Sequence, residues 1–393
     1  MKKVFIVSVA RTPVGTFGGA LSGFTATQLG SFAIKGALQK ANITPEAVNE
    51  VYMGCVLQAG LGQAPATQAM IYAGIPNSVP STTVNKVCAS GSKAIMLGAQ
   101  SIMLGQNDVV VAGGMESMSN VPYYLDKARN GYRLGHGQIT DGLVKDGLWD
   151  VYSDFHMGNA GELCAREKNI SREEQDAFAI ESYERAKAAF AKNAFNNEII
   201  PVEIPVRGKD PIILKEDEQY TKGNAEKMKT LKPVFDKAGS ITAANASPLS
   251  DGASAFVLMS EEKVNEYGIK PLAEIIGFAD AAQAPEWFTT APSLAIPKAL
   301  KMAGKEAKDV DYYELNEAFA VVGIINNKLL GLDPKKVNVY GGAIALGHAL
   351  GSSGSRILAT LTSILHNEGG NIGVTGICNG GGGASAIVIK KVS

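Results

Sequence analysis

An internal duplication is the feature that most constrains the fold of this chain. Two segments recur at one offset of 263 residues without a gap, and a third recurs at an offset of 131 residues. The matched pairs are 89–93 with 352–356, 108–113 with 371–376, and 252–258 with 383–389. Because the matches keep the same order in both parts of the chain, we interpret them as two copies of one structural unit.

The change of offset indicates that the first copy is interrupted. The two offsets, 263 and 131, differ by 132 residues. Two elements that lie close together in the second copy are therefore separated by 132 additional residues in the first. We therefore assign residues 1–118 with 250–268 to an N-terminal core half and residues 119–249 to an inserted loop domain. Residues 269–393 form a C-terminal core half.

Each copy alternates apolar, strand-like runs with helical stretches, as at 4–10, 27–41 and 108–112. Such alternation predicts α/β units with largely parallel, buried strands. Within the insertion, the segment 171–193 has an amphipathic pattern that opens with a serine and has a glutamate three positions later, which predicts a helix with a capping box. The rest of the insertion is polar and rich in glycine, which suits a loop domain that covers a site.

Composition argues against several classes of protein. Lys and Arg number 37 and Asp and Glu number 38, so the chain lacks the basic excess of a general nucleic-acid binder. Its four scattered cysteines form neither a disulfide framework nor a zinc pattern, and we expect no metal site. No run approaches the roughly 18 apolar residues that cross a bilayer. We therefore expect a soluble, cytoplasmic protein that does not bind membranes.

Cys88 is a candidate nucleophile because a helical pattern follows it, from 90 to about 104. A thiolate at the start of a helix faces the positive end of the helix dipole, which predicts a lowered pKa for Cys88. Only a few per cent of an ordinary thiol is ionised at neutral pH, so a neighbouring base is also expected. His348 is the candidate base, because glycines on both sides of it allow other groups to approach. The offset of 263 maps Cys88 onto Gly351, so packing of the halves about a pseudo-twofold axis would bring the two loops together.

A run of four glycines at 380–383 follows Cys378 and Asn379. Glycine-rich backbone exposes N–H groups that can line an oxyanion hole. A tight turn or close strand packing would equally explain the run. Taken alone, each of these motifs is as compatible with a structural role as with a catalytic one.

Taken together, the motifs resemble the signature of the thiolase family. The four motifs that carry chemistry are 84–91 (VNKVCASG), 316–319 (NEAF), 341–348 (GGAIALGH) and 378–383 (CNGGGG). Three further matches to the family pattern are 10–15, 113–118 and 242–247. The resemblance extends along essentially the whole chain. It implies an α/β protein with the thiolase fold, a duplicated αβαβα layered core with an inserted loop domain.

The resemblance also implies the catalytic roles. Cys88 resembles the nucleophile that becomes acylated, and His348 resembles the base that takes its proton. Cys378 resembles the acid/base that removes the α-proton of a second acetyl-CoA, and Asn316 the residue that orients a water at the enolate oxygen. Backbone N–H groups of Cys88 and Gly380 would bind the thioester oxyanion. Covalent catalysis divides the reaction into two steps, and two oxyanions require two sets of donors.

A coenzyme A site under the inserted domain is implied as well. Segments 145–148 and 156–158 resemble the pantetheine-covering loop of short-chain acetoacetyl-CoA thiolases, and longer-chain thiolases generally lack a histidine at this place. The implied contacts are Leu148, His156, Met157, Lys222, Phe235, Ala243, Ser247, Ala318 and Phe319. His156 is alternatively a loop-packing histidine. The lysine-rich stretch 222–232 is alternatively a solvated face and not a phosphate site.

The reaction that the resemblance implies is the reversible condensation of two acetyl-CoA molecules to acetoacetyl-CoA and CoA through acetylated Cys88. A degradative 3-ketoacyl-CoA thiolase of broader chain length is the alternative. Cys378 disfavours a ketoacyl synthase, which typically pairs one cysteine with two histidines or with a histidine and an asparagine. A CoA-binding or lipid-transfer protein without chemistry is disfavoured because Cys88, Asn316, His348 and Cys378 are all present.

Three further expectations follow from the resemblance. No cofactor is implied beyond the CoA thioesters, although some relatives use a potassium ion near a tyrosine that corresponds to Tyr183. A homotetramer is implied, with contacts from the inserted segments 121–126 and 134–141, whereas a monomer with a lid is the alternative. The chain departs from the family pattern at Ala349, where proline is common, and we expect altered rate or stability without loss of function.

Overall fold

The computed structural model describes residues 1–392. In chain order the strands are β1 (Val4–Arg11), β2 (Gly15–Thr16), β3 (Glu50–Gly54), β4 (Ser81–Val84), β5 (Val109–Ser117), β6 (Tyr123–Tyr124), β7 (Thr140–Asp141), β8 (Trp149–Asp150), β9 (Phe155–His156), β10 (Val202–Ile204), β11 (Ile212–Leu214), β12 (Ser250–Ser260), β13 (Ala273–Ala282), β14 (Tyr312–Leu315), β15 (Ile372–Asn379) and β16 (Gly383–Lys391). The α-helices are α1 (Ala26–Ala41), α2 (Pro65–Tyr72), α3 (Ser90–Met103), α4 (Met157–Glu167), α5 (Arg172–Ala191), α6 (Ala225–Thr230), α7 (Glu261–Tyr267), α8 (Pro292–Met302), α9 (Ala320–Leu330), α10 (Ala343–Leu346) and α11 (Leu350–Asn367). The elements predicted at 4–10, 27–41 and 108–112 are confirmed as β1, α1 and β5.

Local sequence explains where the longer helices begin. The hydroxyl of Ser171 accepts a hydrogen bond from the backbone of Glu174, and the Glu174 side chain accepts one from the Ser171 backbone, so the predicted capping box of α5 is confirmed. Thr25 and Gln28 form a second capping box at the start of α1.

None of the helices within residues 1–392 is long and apolar enough to cross a lipid bilayer.

Eight strands of the ten-stranded main sheet form two halves with the same strand order; the other two are β4, which pairs with β3, and β2, which pairs with β12. Neighbouring strands are β3, β5, β12 and β1 in the first half and β14, β15, β16 and β13 in the second, and a short pairing of β1 with β13 joins the halves. In each half the first pair is parallel and the next two pairs are antiparallel. Each half also has a register shift at the equivalent place, between Ile6 and Ser8 in β1 and between Ile275 and Gly277 in β13. The repeated topology confirms the duplication.

The prediction of largely parallel strands is wrong, because β12 and β16 run antiparallel to both of their main neighbours. The connection explains the difference. β15 and β16 are joined by the short turn at 380–382, and a short turn can join only antiparallel strands. In the first half the inserted segment occupies this place, between Ser117 at the end of β5 and Ser250 at the start of β12. The insertion therefore replaces a hairpin turn and leaves the strand pairing intact.

Two buried helices, α3 and α11, form the layer between the half-sheets. Successive side chains of a strand point to opposite faces. In β5, Val110 belongs to the apolar cluster around α3 and α11, whereas Val109 belongs to the cluster around α1 and α2. In β16, Ile387 faces the central helices and Val388 packs with α8. The order is helix, sheet, helix, sheet, helix, which confirms the predicted αβαβα core.

The two central helices cross at a pair of glycines that the duplication relates. A Cβ atom on Gly91 would lie 2.6 Å from Ser355 Oγ, and one on Gly354 would lie 2.6 Å from the backbone nitrogen of Ser92. Ser92 Oγ also donates a hydrogen bond to the Gly354 carbonyl at 3.0 Å. Since the crossing is near the start of both helices, the loops that precede them lie side by side.

The inserted segment is attached to the core by a buried ion cluster. It carries α4, α5 and α6 and three short two-stranded ladders. Arg11, at the end of β1, donates hydrogen bonds to Glu198 at 2.6 Å and to Asp217 at 2.7 Å, and all three side chains are buried. Buried charges of this kind are tolerated because each has a partner. Both acidic residues belong to the insertion, so the cluster holds it against the first half-sheet.

Gly354→Ala tests the close crossing of α3 and α11. Alanine favours a helix by up to ~1 kcal/mol over glycine, but its Cβ atom would press on the α3 backbone, and such overpacking typically costs about 1–3 kcal/mol. We expect a lower midpoint of thermal unfolding. Gly23→Ala is the control, because Gly23 is exposed and a Cβ atom there meets open space. Equal midpoints for the two variants would contradict the crossing.

Candidate active site

A cavity of about 640 Å³ opens where the two core halves and the inserted segment meet. The core halves contribute Phe17, Val87, Cys88, Met118, Phe288, Ala318, Phe319, His348, Leu350 and Gly380. The inserted segment contributes Tyr123, Asp141, Leu143, Val144, Gly147, Leu148, His156, Met157, Val234, Phe235, Thr242, Ala243 and 246–249. The walls are mostly apolar, with a few polar residues that include Cys88 and His348. This is the usual character of a site for a small organic ligand.

A strained turn between β4 and α3 presents Cys88 to the cavity. Val87 has a φ of 48°, which is unfavourable for a β-branched residue. Side chains compensate: Asn85 Oδ1 accepts a hydrogen bond from the Val87 N–H at 3.0 Å. The Ser90 hydroxyl accepts one from the Lys86 N–H at 2.8 Å and donates one to the Val87 carbonyl at 2.6 Å. The turn is therefore fixed by local sequence.

The predicted lowering of the Cys88 pKa is wrong. Burial raises the pKa of the Cys88 thiol to about 12, although the N–H groups of Gly380 and of Cys88 itself act in the opposite direction. Cys88 precedes the first residue of α3, and removal of the thiolate from water outweighs any attraction to the helix dipole. The resting group is a neutral thiol, which must lose its proton as it attacks.

His348 is a neutral base with a defined tautomer. Its Nδ1 atom lies 2.6 Å from the Ser353 hydroxyl, which itself donates a hydrogen bond to the Ala349 carbonyl at 2.9 Å. We assign the Nδ1–H tautomer, in which Ser353 accepts the hydrogen bond from Nδ1–H and Nε2 carries the free lone pair, because the single hydroxyl proton is then used at the Ala349 carbonyl. Burial and the nearby Arg356 guanidinium lower the pKa of His348 to about 3. The imidazole is therefore uncharged and able to accept a proton at Nε2.

The His348 loop is held by the first core half and by local conformation. The His348 N–H donates to Ser250 Oγ at 3.1 Å. Gly347 has a φ of 111°, and a Cβ atom at this position would lie 2.6 Å from Ser250 Oγ. Ala349 has a φ of −73°, within the range that a proline ring imposes. The alanine thus adopts the conformation that the more common proline would have.

Cys378 lies at the end of β15, close to Cys88. It is buried, and burial together with the nearby Cys88 sulfur raises its pKa well above the usual value. The turn that follows needs glycine, because Gly381 and Gly382 have φ values of 83° and 82°. This turn directs the Gly380 N–H towards the Cys88 sulfur. The glycine run is therefore both a tight turn and a source of N–H donors.

Asn316 is buried just after β14, two residues before Ala318 in the cavity wall. Its N–H donates to the Gly376 carbonyl at 2.9 Å, which fixes its backbone next to β15. Neither atom of its side-chain amide makes a hydrogen bond within residues 1–392. The amide is held in a defined place, and its donor and acceptor are free to bind.

Eight of the nine predicted coenzyme A contacts line the cavity. They are Leu148, His156, Met157, Phe235, Ala243, Ser247, Ala318 and Phe319. Lys222 does not line it: this residue lies in the short turn Tyr220–Lys222, and its Nζ donates to Thr16 Oγ1 at 3.1 Å. Thr16 precedes Phe17, which lines the cavity, so Lys222 lies beside the cavity. The contacts with coenzyme A stay a prediction.

His156 combines a structural role with a place in the cavity wall. Its Nδ1 accepts the N–H of Gly158 at 3.0 Å and so caps α4. Its ring stacks on Phe235, with centroids 4.7 Å apart. Burial lowers its pKa, so the neutral ring keeps Nε2–H as a donor. Loop packing and cavity lining are thus compatible for this residue.

Two thiolase family models match almost the whole chain. "Thiolase, N-terminal domain" matches residues 4–262, and "Thiolase, C-terminal domain" matches residues 269–391. The chain belongs to the thiolase family. This thiolase is 59% identical over 391 residues to acetyl-CoA acetyltransferase of Schizosaccharomyces pombe, with 99% of each chain covered. It is 58% identical over 394 residues to acetyl-CoA acetyltransferase 1 of Arabidopsis thaliana, covering 100% of this chain and 95% of the relative.

A solved structure supports the same assignment. The crystal structure of Acat5 thiolase from Ascaris suum in complex with coenzyme A matches with a TM-score of 0.95 and 44% identity, and 100% of both chains are covered. The family and the fold implied by the sequence motifs are confirmed.

Several groups in the site of this thiolase were not identified from its sequence. Ser353 lies within one of the duplicated segments, but no spacing rule indicated that it contacts His348. The apolar wall residues outside the recognised motifs include Phe17, Leu143, Val234, Leu249, Phe288 and Leu350. They come from separate loops without periodicity, so only the folded chain brings them together.

Ser353→Ala tests whether this serine fixes the tautomer of His348. Without its acceptor, Nδ1–H loses its preference and the Nε2 lone pair is less often available. Loss of the equivalent contact that orients a metal-bound histidine typically costs ~10–100-fold, and we expect an effect of the same size here. We expect Cys88 to react with iodoacetamide more slowly by that factor, as measured by mass spectrometry of the Cys88 peptide. Ser355→Ala is the control, because Ser355 is also buried on α11 but bonds Ser254 and Ser352. Equal rates in both variants would refute the assignment.

Proposed function

We propose that this thiolase is an acetyl-CoA C-acetyltransferase, which catalyses the reversible condensation of two acetyl-CoA molecules to acetoacetyl-CoA and CoA. One observation carries the proposal. Cys88, the free Nε2 of His348 and the Gly380 N–H meet in one apolar cavity, with the Cys378 thiol close to Cys88. The names of the relatives at 58–59% identity support the same reaction. They do not favour the alternative, a degradative thiolase of broader chain length.

The first half-reaction acetylates Cys88. The Cys88 sulfur attacks the carbonyl carbon of acetyl-CoA while its proton moves to Nε2 of His348. The N–H groups of Cys88 and Gly380 stabilise the oxyanion of the tetrahedral intermediate. Collapse of the intermediate expels the CoA thiolate, which takes a proton from Cys378 and leaves as CoA. The imidazolium on His348 offsets the cost of the thiolate that remains on Cys378.

The second half-reaction forms the carbon–carbon bond. The Cys378 thiolate removes a proton from the methyl carbon of a second acetyl-CoA. Burial suits this step, because a thiol with a raised pKa gives a strongly basic thiolate. His348, together with a water oriented by Asn316, stabilises the enolate oxygen. The enolate carbon attacks the acetyl group on Cys88, and the released Cys88 thiolate recovers its proton from His348, which restores the resting site.

Substitution of each cysteine should separate the two half-reactions. Cys88→Ser should abolish acetyl transfer, because a buried hydroxyl is a much poorer nucleophile than a thiol. Cys378→Ala should still form acetyl-enzyme, because the departing CoA thiolate can take its proton from the His348 imidazolium instead. It should fail to condense, because no group remains to remove the methyl proton of the second acetyl-CoA. Radiolabelled acetyl-CoA followed by peptide mapping measures the first step, and acetoacetyl-CoA formation measures the second. Label on a peptide other than that of Cys88 would overturn the roles.

Acetyl-CoA, acetoacetyl-CoA and CoA are the only reactants and products in this proposal, and no cofactor takes part. Activation by potassium near Tyr183 stays a prediction, to be measured as activity in potassium against sodium buffer. The Tyr183 hydroxyl accepts a hydrogen bond from Gln219 at 2.7 Å. A cytoplasmic location also stays a prediction, which cell fractionation tests.

We further propose that the thiolase is a homotetramer whose contacts come from the inserted segment. The support is a group of exposed apolar side chains in this segment. They include Tyr123, Leu125, Leu134, Ile139, Val151 and Tyr152. Leu134 is 98% exposed, which is unusual for a leucine unless a partner covers it. Symmetric oligomers are the common outcome of such surfaces.

Sedimentation at micromolar concentration tests the assembly. We expect a species of four chains of 41.2 kDa each. Leu134→Asp should shift the protein to smaller species, because a charge cannot be buried in an apolar contact. Leu104→Asp is the control, since Leu104 is 71% exposed at the end of α3, outside the inserted segment. A wild-type monomer or dimer would contradict the tetramer.

A further inference from the structure

Lys86 connects the turn that carries Cys88 with the second core half. Its Nζ lies 2.6 Å from Asp280 Oδ1, 2.8 Å from Ser385 Oγ and 3.2 Å from the Ala384 carbonyl. An ammonium group has three protons, so these three acceptors use its full capacity. All three acceptors belong to β13 and β16, whereas Lys86 lies two residues before the nucleophile.

The acceptors of Lys86 lie next to Cys378 in the sheet. Ala384 is the residue paired with Cys378 between β15 and β16, and Asp280 is paired with Ser385 between β13 and β16. Ser385 Oγ donates a further hydrogen bond to Asp280 at 2.6 Å. Lys86 lies in the turn that carries Cys88, and it bonds Ala384, the strand partner of Cys378.

Lys86 and Asp280 form an ion pair that is only partly exposed to solvent. The side chains of Lys86 and Asp280 are 24% and 32% exposed. Burial lowers the pKa of Lys86. Burial also opposes ionisation of Asp280, but hydrogen bonds from Lys86, Ser385 and Lys93 together lower its pKa. Asp280 thus remains a carboxylate, and the contact is a charge-assisted hydrogen bond of the stronger kind.

The reaction depends on the distance between Cys88 and Cys378, which no short covalent connection sets. Cys88 and Cys378 belong to different core halves, and they must act on the same two acetyl groups. The hydrogen bonds inside the Cys88 turn, between Asn85, Val87 and Ser90, fix its shape but not its distance from β15. Lys86 supplies a contact that does fix the distance, because it joins the turn to β13 and β16.

We propose that Lys86 is a positioning residue that holds Cys88 at the distance from Cys378 required for carbon–carbon bond formation. The inference rests on the proposed condensation reaction. Acetylation also uses the Gly380 N–H and the Cys378 proton, but the thioester of acetyl-CoA is flexible and can follow a small displacement of Cys88. Condensation needs the acetyl group on Cys88, the enolate carbon and Cys378 in one arrangement. A displacement of about 1 Å in such an arrangement can cost ~100-fold in rate.

Lys86→Met tests the proposal by comparing the two half-reactions. Exchange of labelled CoA into acetyl-CoA measures acetylation alone, and formation of acetoacetyl-CoA measures the complete reaction. We expect the condensation kcat to fall by ~100-fold and the exchange rate by less than ~10-fold, because only the alignment of the two cysteines is lost. Lys86→Arg keeps the charge and donors, and it should restore much of the condensation rate.

Lys93→Met is the matched control. Lys93 Nζ also bonds Asp280, at 2.9 Å, but Lys93 belongs to α3 and not to the turn that carries Cys88. We expect the ratio of condensation to exchange to stay at the wild-type value. Asp280→Asn removes the charge that Lys86 bonds, so it should lower the ratio of condensation to exchange, as Lys86→Met does. Asp280→Asn replaces Lys86→Met in the test if Lys86→Met fails to fold.

The outcomes separate this inference from the proposed function. If wild-type protein forms no acetoacetyl-CoA, the proposed function fails. If wild-type protein condenses acetyl-CoA but Lys86→Met lowers condensation and exchange equally, or leaves both unchanged, Lys86 has no positioning role. A change of ratio in Lys93→Met as large as that in Lys86→Met would also overturn the inference.

Discussion

The close crossing of α3 and α11 is the constraint on which the rest of this thiolase depends. Each helix begins where its own copy of the duplicated unit presents a reactive group, Cys88 before α3 and His348 before α11. Glycines at 91 and 354 allow the helix backbones to approach without side chains between them. The nucleophile and its base are therefore brought together by the same contact that joins the two halves of the core.

The charges of the site are set by burial. Removal from water raises the pKa values of both Cys88 and Cys378 and lowers that of His348, so the resting site contains three neutral groups. Charge appears only as substrate reacts, when N–H groups and the imidazole are already in place to stabilise it. Such preorganised donors need no rearrangement at the moment of reaction. The arrangement protects the nucleophile from reaction in the absence of substrate, because a neutral thiol is unreactive compared with a thiolate.

The insertion gives the first copy a different role from the second. In the second copy, strands β15 and β16 are joined by a glycine turn that supplies the Gly380 N–H. In the first copy the equivalent connection is the whole inserted segment, whose loops form much of the cavity wall. The hairpin turn of the second copy thus supplies part of the catalytic site. The insertion of the first copy forms a cover over that site. The buried cluster of Arg11, Glu198 and Asp217 holds that cover in place.

Local pattern in the sequence determined the duplication, the position of the insertion, the elements β1, β5, α1 and α5, and the motifs that identify a thiolase. These properties depend on residues close together in the chain, on apolar periodicity and on capping. Strand direction was predicted wrongly because it depends on the connections between strands. The direction of the Cys88 pKa shift was also wrong, because desolvation is a sum over every neighbour in space. The contacts of Ser353 with His348 and of Lys86 with Asp280 join atoms whose geometry exists only after the two halves have packed, so only the tertiary structure decided them.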